Sequence, residues 1–421
     1  MFLNLRSSAK EYTIDAKFSS NHEYDTPGKL RGVYGSFARA HFDIMADAMK
    51  ETIIAGAGIW GCTLARVLAE AGRRVRVLEA RPVIGGNVRC ENDTATGIEI
   101  HTYGSHIFHT SIPEVWSFVN RFVTFNGYQH KVMALHAGEL YFLPLGLALV
   151  NRFYGKRLTP EELPAFIAKE AAFEGTPANF EEQAVSLIGR PLYDAFIRHY
   201  TAKQWGTDPV NLSADIIRRL PVRTSYDINY FSDYTQGIPL EGYNALFDRL
   251  LDHENITVET NVRATLADVT ADPERTVFYS GPIDALFGYS RGALPWRSLR
   301  FELERIPVAD AQGTSVINYV DADVPFTRQH EYKHFHPERK DTMAHPETIV
   351  CREYPKTWQP GDEPYYPVDN AESAKLLAAY RADAASYPNL VIGGRLGQYR
   401  YFDMDKSIAS ALEAARKHLE G

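Results

Sequence analysis

Gly56-Ala57-Gly58-Ile59-Trp60-Gly61 is a GxGxxG turn set between an apolar run, Thr52 to Ala55, and an amphipathic one, Ile59 to Ala71. Bare amides at such a turn can approach a pyrophosphate closely, and the positive end of the following helix favours the anion. A second apolar run, Val75 to Leu78, ends at Glu79, placed to accept hydrogen bonds from an adenosine ribose; an acid there disfavours the 2′-phosphate of NADP. Gly85-Gly86-Asn87 supplies a second glycine pair able to close over the far side of a pyrophosphate, which points to FAD rather than NAD. The glycines could serve packing alone, but the complete strand, turn, helix and strand around them outweighs that reading. His106 and His109 stand three residues apart, more often packed histidines than catalysts. Neither a serine-histidine-acid set, nor paired glycosidase-like carboxylates, nor a metal cluster is legible, so the difficult chemistry is expected of a cofactor.

These residues need a frame. The alternation from Thr52 onward describes a right-handed βαβ unit. Residues 113–222 read as mainly helical, with Pro160-Glu161-Glu162 opening one helix and Phe180 to Ile188 forming another. Short β-branched and aromatic runs follow at Ile256 to Val258, Thr276 to Tyr279, Ser315 to Val320 and Thr348 to Cys351. An apolar strand at Leu390 to Ile392, the Gly393-Gly394 turn and a helix from Ser407 to Leu419 return to the opening pattern. The fold class expected is therefore α/β: a discontinuous FAD-binding Rossmann-like domain with an inserted helical domain and an antiparallel sheet domain. The expected boundaries are 1–49, an extension outside the folded core; 50–112, the first part of the FAD-binding domain; 113–222, mainly helical with a substrate lid; 223–385, a mixed region with a substrate-binding antiparallel sheet and returning FAD-domain segments; and 386–421, the final FAD-domain part.

With 421 residues, 45% of them hydrophobic, the chain can bury a core larger than one domain usually holds. A formal net charge of -8 provides no basic field for nucleic acid. The three cysteines, Cys62, Cys90 and Cys351, are widely spaced and lack metal-site spacing, which fits a reduced, cytoplasmic thiol set. No apolar run reaches the length of a membrane span, and residues 1–50 lack the pattern of a secretory signal.

The stretch 104–110, GSHIFHT, is similar to the GPHIFHT signature of the UDP-galactopyranose mutases. Further resembling stretches follow in order: YTAKQWG at 200–206, LPVR at 220–223, YSGPID at 279–284, DVPFTR at 323–328, PYYP at 364–367 and GRLGQYRYFDMD at 394–405. Together they span nearly everything from Lys50 to the C-terminus. The resemblance implies that Arg223 and Arg328 converge on the diphosphate from opposite sides, although either alone would more often be a surface ion pair, and that Tyr200 stacks on uracil. Trp205, Tyr366, Tyr401 and Asp403 would surround the sugar and diphosphate, while His106 and Arg395 would lie beside the flavin. Glu353 matches a family acid near the site and reads almost as well as a buried ion-pair partner. The implied reaction interconverts UDP-galactopyranose and UDP-galactofuranose, with N5 of reduced FAD attacking the anomeric carbon, displacing UDP, and the adduct opening and reclosing without net redox change. A reductant such as NAD(P)H to keep the flavin reduced, and a homodimer, are implied as well. Residues 206–223 are expected to act as a lid delivering Arg223. Ser105 departs from the family's proline, Phe196-Ile197 offers one aromatic where many members have two, and Tyr234 precedes Thr235 where the aromatic usually comes later. Two other functions share some of these features. An amine-oxidase-type FAD oxidoreductase would consume oxidant or reductant stoichiometrically, and a nucleotide-sugar sensor would bind UDP without flavin.

Overall fold

Thr52, Ile53, Ile54 and Ala55 are each almost fully buried, because the strand Glu51–Ala55 lies at the centre of a parallel sheet covered on both faces. The computed structural model describes residues 51–217 and 220–420; the expected extension 1–49 and positions 218 and 219 of the expected lid lie outside them. Five parallel strands run in the order Leu390–Ile392, Val277–Tyr279, Glu51–Ala55, Arg74–Glu79 and Ile256–Thr260. The helix Ile59–Glu70 follows the glycine turn and packs against the helices Met404–Glu420 and Tyr243–Leu251. Leu64, Leu68, Phe247, Ile408 and Leu412 interlock there, and Ala65, Ala69, Ala411 and Ala415 let the backbones approach. Each fully buried leucine contributes about 1.5–3 kcal/mol.

A second sheet has seven strands, in the order Tyr366–Pro367, Trp296–Ile306, Thr348–Thr357, Arg328–Glu331, Val316–Tyr319, Val132–His136 and Glu139–Leu143. It is antiparallel except where Val132–His136 runs parallel to Val316–Tyr319. Of the four β-rich runs after residue 230, the first two therefore belong to the parallel sheet and the last two to this mixed one. The hairpin 132–143 breaks the helical reading of its stretch. Ala137 and Gly138 both take positive φ, 49° and 79°, so two residues close the turn, and helical periodicity gave no sign of it.

The helices Leu147–Tyr154, Glu162–Glu170, Phe180–Ile188 and His199–Trp205 share another core, around Leu149, Ile167, Phe180, Ile188 and Tyr193. Asn179 caps one of them by accepting from the Glu182 amide at 3.0 Å, while Glu182 accepts from the Ala178 amide. Lys203 fastens the last helix to the mixed sheet. Its ammonium donates to the carbonyls of Tyr319, Asp321, Val324 and Phe326 at 2.7–3.1 Å, and burial pulls its pKa down to about 8. Among the described residues no helix is long and apolar enough to cross a membrane.

Candidate functional site

The two glycine loops meet at the carboxyl end of the parallel strands, where ligands of such sheets bind. Gly56 adopts a φ of +106°, and a Cβ on Gly61 would fall 1.9 Å from the Gly56 carbonyl oxygen. Bare backbone is therefore required to join turn and helix. The helix begins at Gly58 with no side-chain cap, leaving its first amides for a ligand. Gly86 packs directly on Gly58, where a Cβ would lie 2.9 Å from the Gly58 Cα. Gly85 donates its amide to the Ala57 carbonyl at 2.9 Å. Buried Glu79 ties the loops further, accepting from the amides of Ala57 at 2.7 Å and Arg81 at 2.8 Å. Arg81 lies over the Tyr103 ring and donates to Asn87 Oδ1. Arg81 Nη1 and Asn87 Nδ2 remain buried donors with no protein partner. Two orphan donors beside a bare glycine cradle suit a pyrophosphate.

A cavity of about 1190 Å³ extends from these loops to the mixed sheet. Gly56, Gly58, Glu79, Gly86, Asn87, His106, Trp205, Arg328, Tyr366, Arg395, Tyr401 and Asp403 all line it. Gly61 and Gly85 stand behind the lining as packing glycines. Tyr200 is set back behind Arg328, its hydroxyl accepting from Arg328 Nε at 2.8 Å. Arg223 does not line the cavity. It bonds the carbonyls of Asn229 and Tyr230 and approaches Asp227, so the two arginines expected to converge stand apart here.

Arg328 owes its place to sheet register. It lies opposite Glu353 on the neighbouring strand, with Nη1 3.5 Å from Glu353 Oε1. Burial works against the Arg328 charge, yet Tyr200 and Glu353 hold it firmly protonated. Tyr366 and Tyr401 stack with ring centres 6.0 Å apart, and Arg395 donates to the Tyr365 carbonyl. His106 donates from Nδ1 to the Gly104 carbonyl at 2.7 Å, which leaves Nε2 as its acceptor. Its amide donates to His101 Nδ1. Beneath this turn Cys90, Glu99 and His101 converge, but Glu99 is already engaged by His336, Arg339 and the Tyr243 amide.

A serine-histidine-acid set, which sequence spacing did not reveal, is present after all. Ser105 Oγ lies 2.7 Å from His330 Nδ1, and His330 Nε2 lies 3.3 Å from Glu353 Oε2. Only the fold joins positions so distant in sequence. Lys203 was missed for the same reason, although its place inside YTAKQWG was the available signal.

Burial lowers His106 to a pKa of about 4 and both His101 and His130 to about 3, so all three are neutral at pH 7. The unfolded chain binds their protons near 6.5 and the folded chain does not. Stability is therefore full above that value and is lost as pH falls through it, by about 1.4 kcal/mol per pH unit for each histidine. Glu99, held at about 2 against burial by His336, His101 and Arg339, adds a loss in the same direction below 4.5. Thermal melts should fall steadily from pH 6.5 to 4.5. A constant Tm across that range would contradict the neutral-histidine assignment.

Parallel sheet, paired glycine loops and a cavity ending on a partly buried arginine define a dinucleotide-binding Rossmann-like protein with room for a second, anionic ligand. Sequence models agree at both ends of that description: residues 54–122 match an NAD(P)-binding Rossmann-like domain and residues 195–401 match UDP-galactopyranose mutase. A probable UDP-galactopyranose mutase of Klebsiella pneumoniae is 41% identical over 88% of this chain and 95% of its own length. The dTDP-fucopyranose mutase of Escherichia coli is 39% identical over 88% of this chain and 99% of its own. A crystal structure of reduced UDP-galactopyranose mutase superimposes with a TM-score of 0.70, covering 88% of this chain and 96% of that one at 17% identity, a likeness of fold. The chain belongs to the UDP-galactopyranose mutase family.

Proposed function

We propose that this protein is an isomerase that interconverts UDP-galactopyranose and UDP-galactofuranose with FAD as its cofactor, active when the flavin is reduced. The observation that carries the reading is the continuity of one cavity from the glycine loops to Arg328, Tyr366 and Tyr401. The loops fit the cofactor: Arg81 Nη1 and Asn87 Nδ2 are orphan donors for its pyrophosphate, and Glu79 is placed for its ribose. Bound and reduced, the flavin supplies the nucleophilic nitrogen toward which the anomeric carbon is directed.

The remaining work falls to the chain. Arg328 steadies the diphosphate leaving group, and the hydroxyls of Tyr366 and Tyr401 donate to its oxygens without adding charge. Trp205 and Asp403 flank the sugar, and Tyr200, set back from the cavity, steadies Arg328 through its hydroxyl. His106, neutral with Nε2 as acceptor, and Arg395 would face a bound flavin. Arg223 is brought in by closure of residues 206–223. Arg223→Ala is expected to cost about 10- to 100-fold in kcat/KM, the worth of a charge-assisted hydrogen bond. Steady-state kinetics at the wild-type level, or Arg223 found equally far from the cavity with and without UDP-sugar, would dismiss the lid. A cytoplasmic homodimer kept reduced by NAD(P)H completes the proposal.

The direct test incubates the yellow protein with UDP-galactofuranose, with and without dithionite, and separates the products by chromatography. UDP-galactopyranose formed only with reduced flavin, with no reductant consumed per turnover, supports the reading. Stoichiometric consumption of oxidant or reductant would favour an oxidoreductase. A second sugar is worth testing beside the first, because the dTDP-fucopyranose mutase aligns almost as well; turnover of dTDP-fucopyranose in preference would reassign the substrate.

A further inference from the structure

Ser105, His330 and Glu353 all line the cavity, and they form one hydrogen-bonded chain. The acid sets its proton positions. Burial opposes ionisation of Glu353, but Arg328, His330 and Thr327 outweigh it and hold the carboxyl below its ordinary range. An ionised carboxylate only accepts, so in the neutral imidazole His330 Nε2 carries the proton and Nδ1 is left as an acceptor. Ser105 therefore donates its hydroxyl proton to Nδ1, at 2.7 Å. Its oxygen keeps free lone pairs, as in a serine backed by a histidine base.

His330 is enclosed on every side. Tyr332 stacks on it at 5.8 Å, Cys351 lies opposite it in the ladder, and Arg328 stands two residues back on its own strand. His101 and His130, both neutral, complete the charged or titratable surroundings. Among the described residues Glu353 is the anion paired with it, so a proton arriving at Nδ1 meets a counter-charge across the ring. The family signature has proline at position 105, which has no hydroxyl, so the chain Ser105–His330–Glu353 is a departure from that pattern.

We propose that Ser105, backed by His330 and Glu353, relays the sugar proton that the ring interconversion must move. The inference rests on the mutase reading above. A pyranose is closed through O5 and a furanose through O4, so each conversion takes a proton from one of these oxygens and returns one to the other. As O4 bonds to C1, its proton passes to Ser105 Oγ while the serine proton passes to His330 Nδ1. The imidazolium then pairs with Glu353. The reverse transfer delivers a proton to O5, the C1–O5 bond having opened, and the relay is restored with no electron exchanged.

The test uses flavin-loaded full-length protein with Ser105→Ala and Ser105→Thr. Ser105→Ala should lower kcat about 100-fold, the lower end of general acid–base effects, and leave KM and UDP affinity within about twofold. Ser105→Thr, which keeps the hydroxyl, should restore kcat. Nitrogen-15 NMR of the wild type should find His330 Nδ1 unprotonated at pH 7, a readout independent of turnover. Wild-type kcat in Ser105→Ala, a loss carried by KM alone, or a protonated Nδ1 would each overturn the relay. If instead the wild type binds flavin and UDP yet interconverts neither sugar, the mutase reading itself fails and the relay with it, an outcome distinct from inactivity confined to Ser105→Ala.

Discussion

Arg328→Met is expected to lower kcat/KM about 100- to 1000-fold, the usual consequence of removing a preorganised charge from a developing anion. Arg328 is the charged side chain positioned from below the cavity by sheet register, and Tyr200 and Glu353 both engage it. Methionine keeps much of the volume, so the loss should fall on the leaving-group step. The change also strips Glu353 of its nearest cation. Because Arg328 is about a third exposed and Glu353 retains His330 and Thr327, the stability cost should stay near 1–3 kcal/mol. Pairing Arg328→Met with Glu353→Gln separates the two effects. Denaturant melts of the double variant should recover most of the stability, and steady-state kinetics should recover none of the activity. Near wild-type kcat/KM in the single variant would remove Arg328 from the mechanism.

Gly61→Ala should yield a protein that no longer retains flavin. The added methyl would sit 1.9 Å from the Gly56 oxygen and 3.3 Å from Ile54 Cγ2, both on the strand and turn beneath the helix. Neither neighbour is the free end of a flexible side chain, so helix and turn must separate. Overpacking of this kind costs about 1–3 kcal/mol and moves the amides that would face the pyrophosphate. Gly155→Ala is the matched control: it takes a φ of +59° at a helix end, and a Cβ there would touch nothing within 4 Å. It should cost about 1–2 kcal/mol and leave the 450 nm flavin absorbance intact. Flavin retained at wild-type stoichiometry in Gly61→Ala would contradict the close approach.

Both variants touch features that differed in how readily they could be seen beforehand. Gly61 was identifiable because turn, strand and helix are contiguous, and local sterics and periodicity suffice to place them. Phe180–Ile188 and Leu390–Ile392 were legible with their boundaries for the same reason. The hairpin at 132–143 was not, since its first strand is held by a distant partner, Val316–Tyr319, and its second is a short edge strand. Arg328 was singled out only by resemblance; nothing local distinguishes it from a surface arginine.

By itself, then, the sequence determined the βαβ unit, the two glycine loops, Glu79 and the helical packing periodicity, because those depend on residues within a few turns of one another. Tertiary structure alone decided what Arg328 touches, that Tyr200 stands behind it, that Arg223 lies outside the cavity, and that Ser105, His330 and Glu353 form one chain. The contacts among Arg328, Ser105, His330 and Glu353 depend on the register between strands Arg328–Glu331 and Thr348–Thr357 and on where the 104–106 turn lands above them. A one-residue slip in that register would turn Arg328 and His330 away from Glu353.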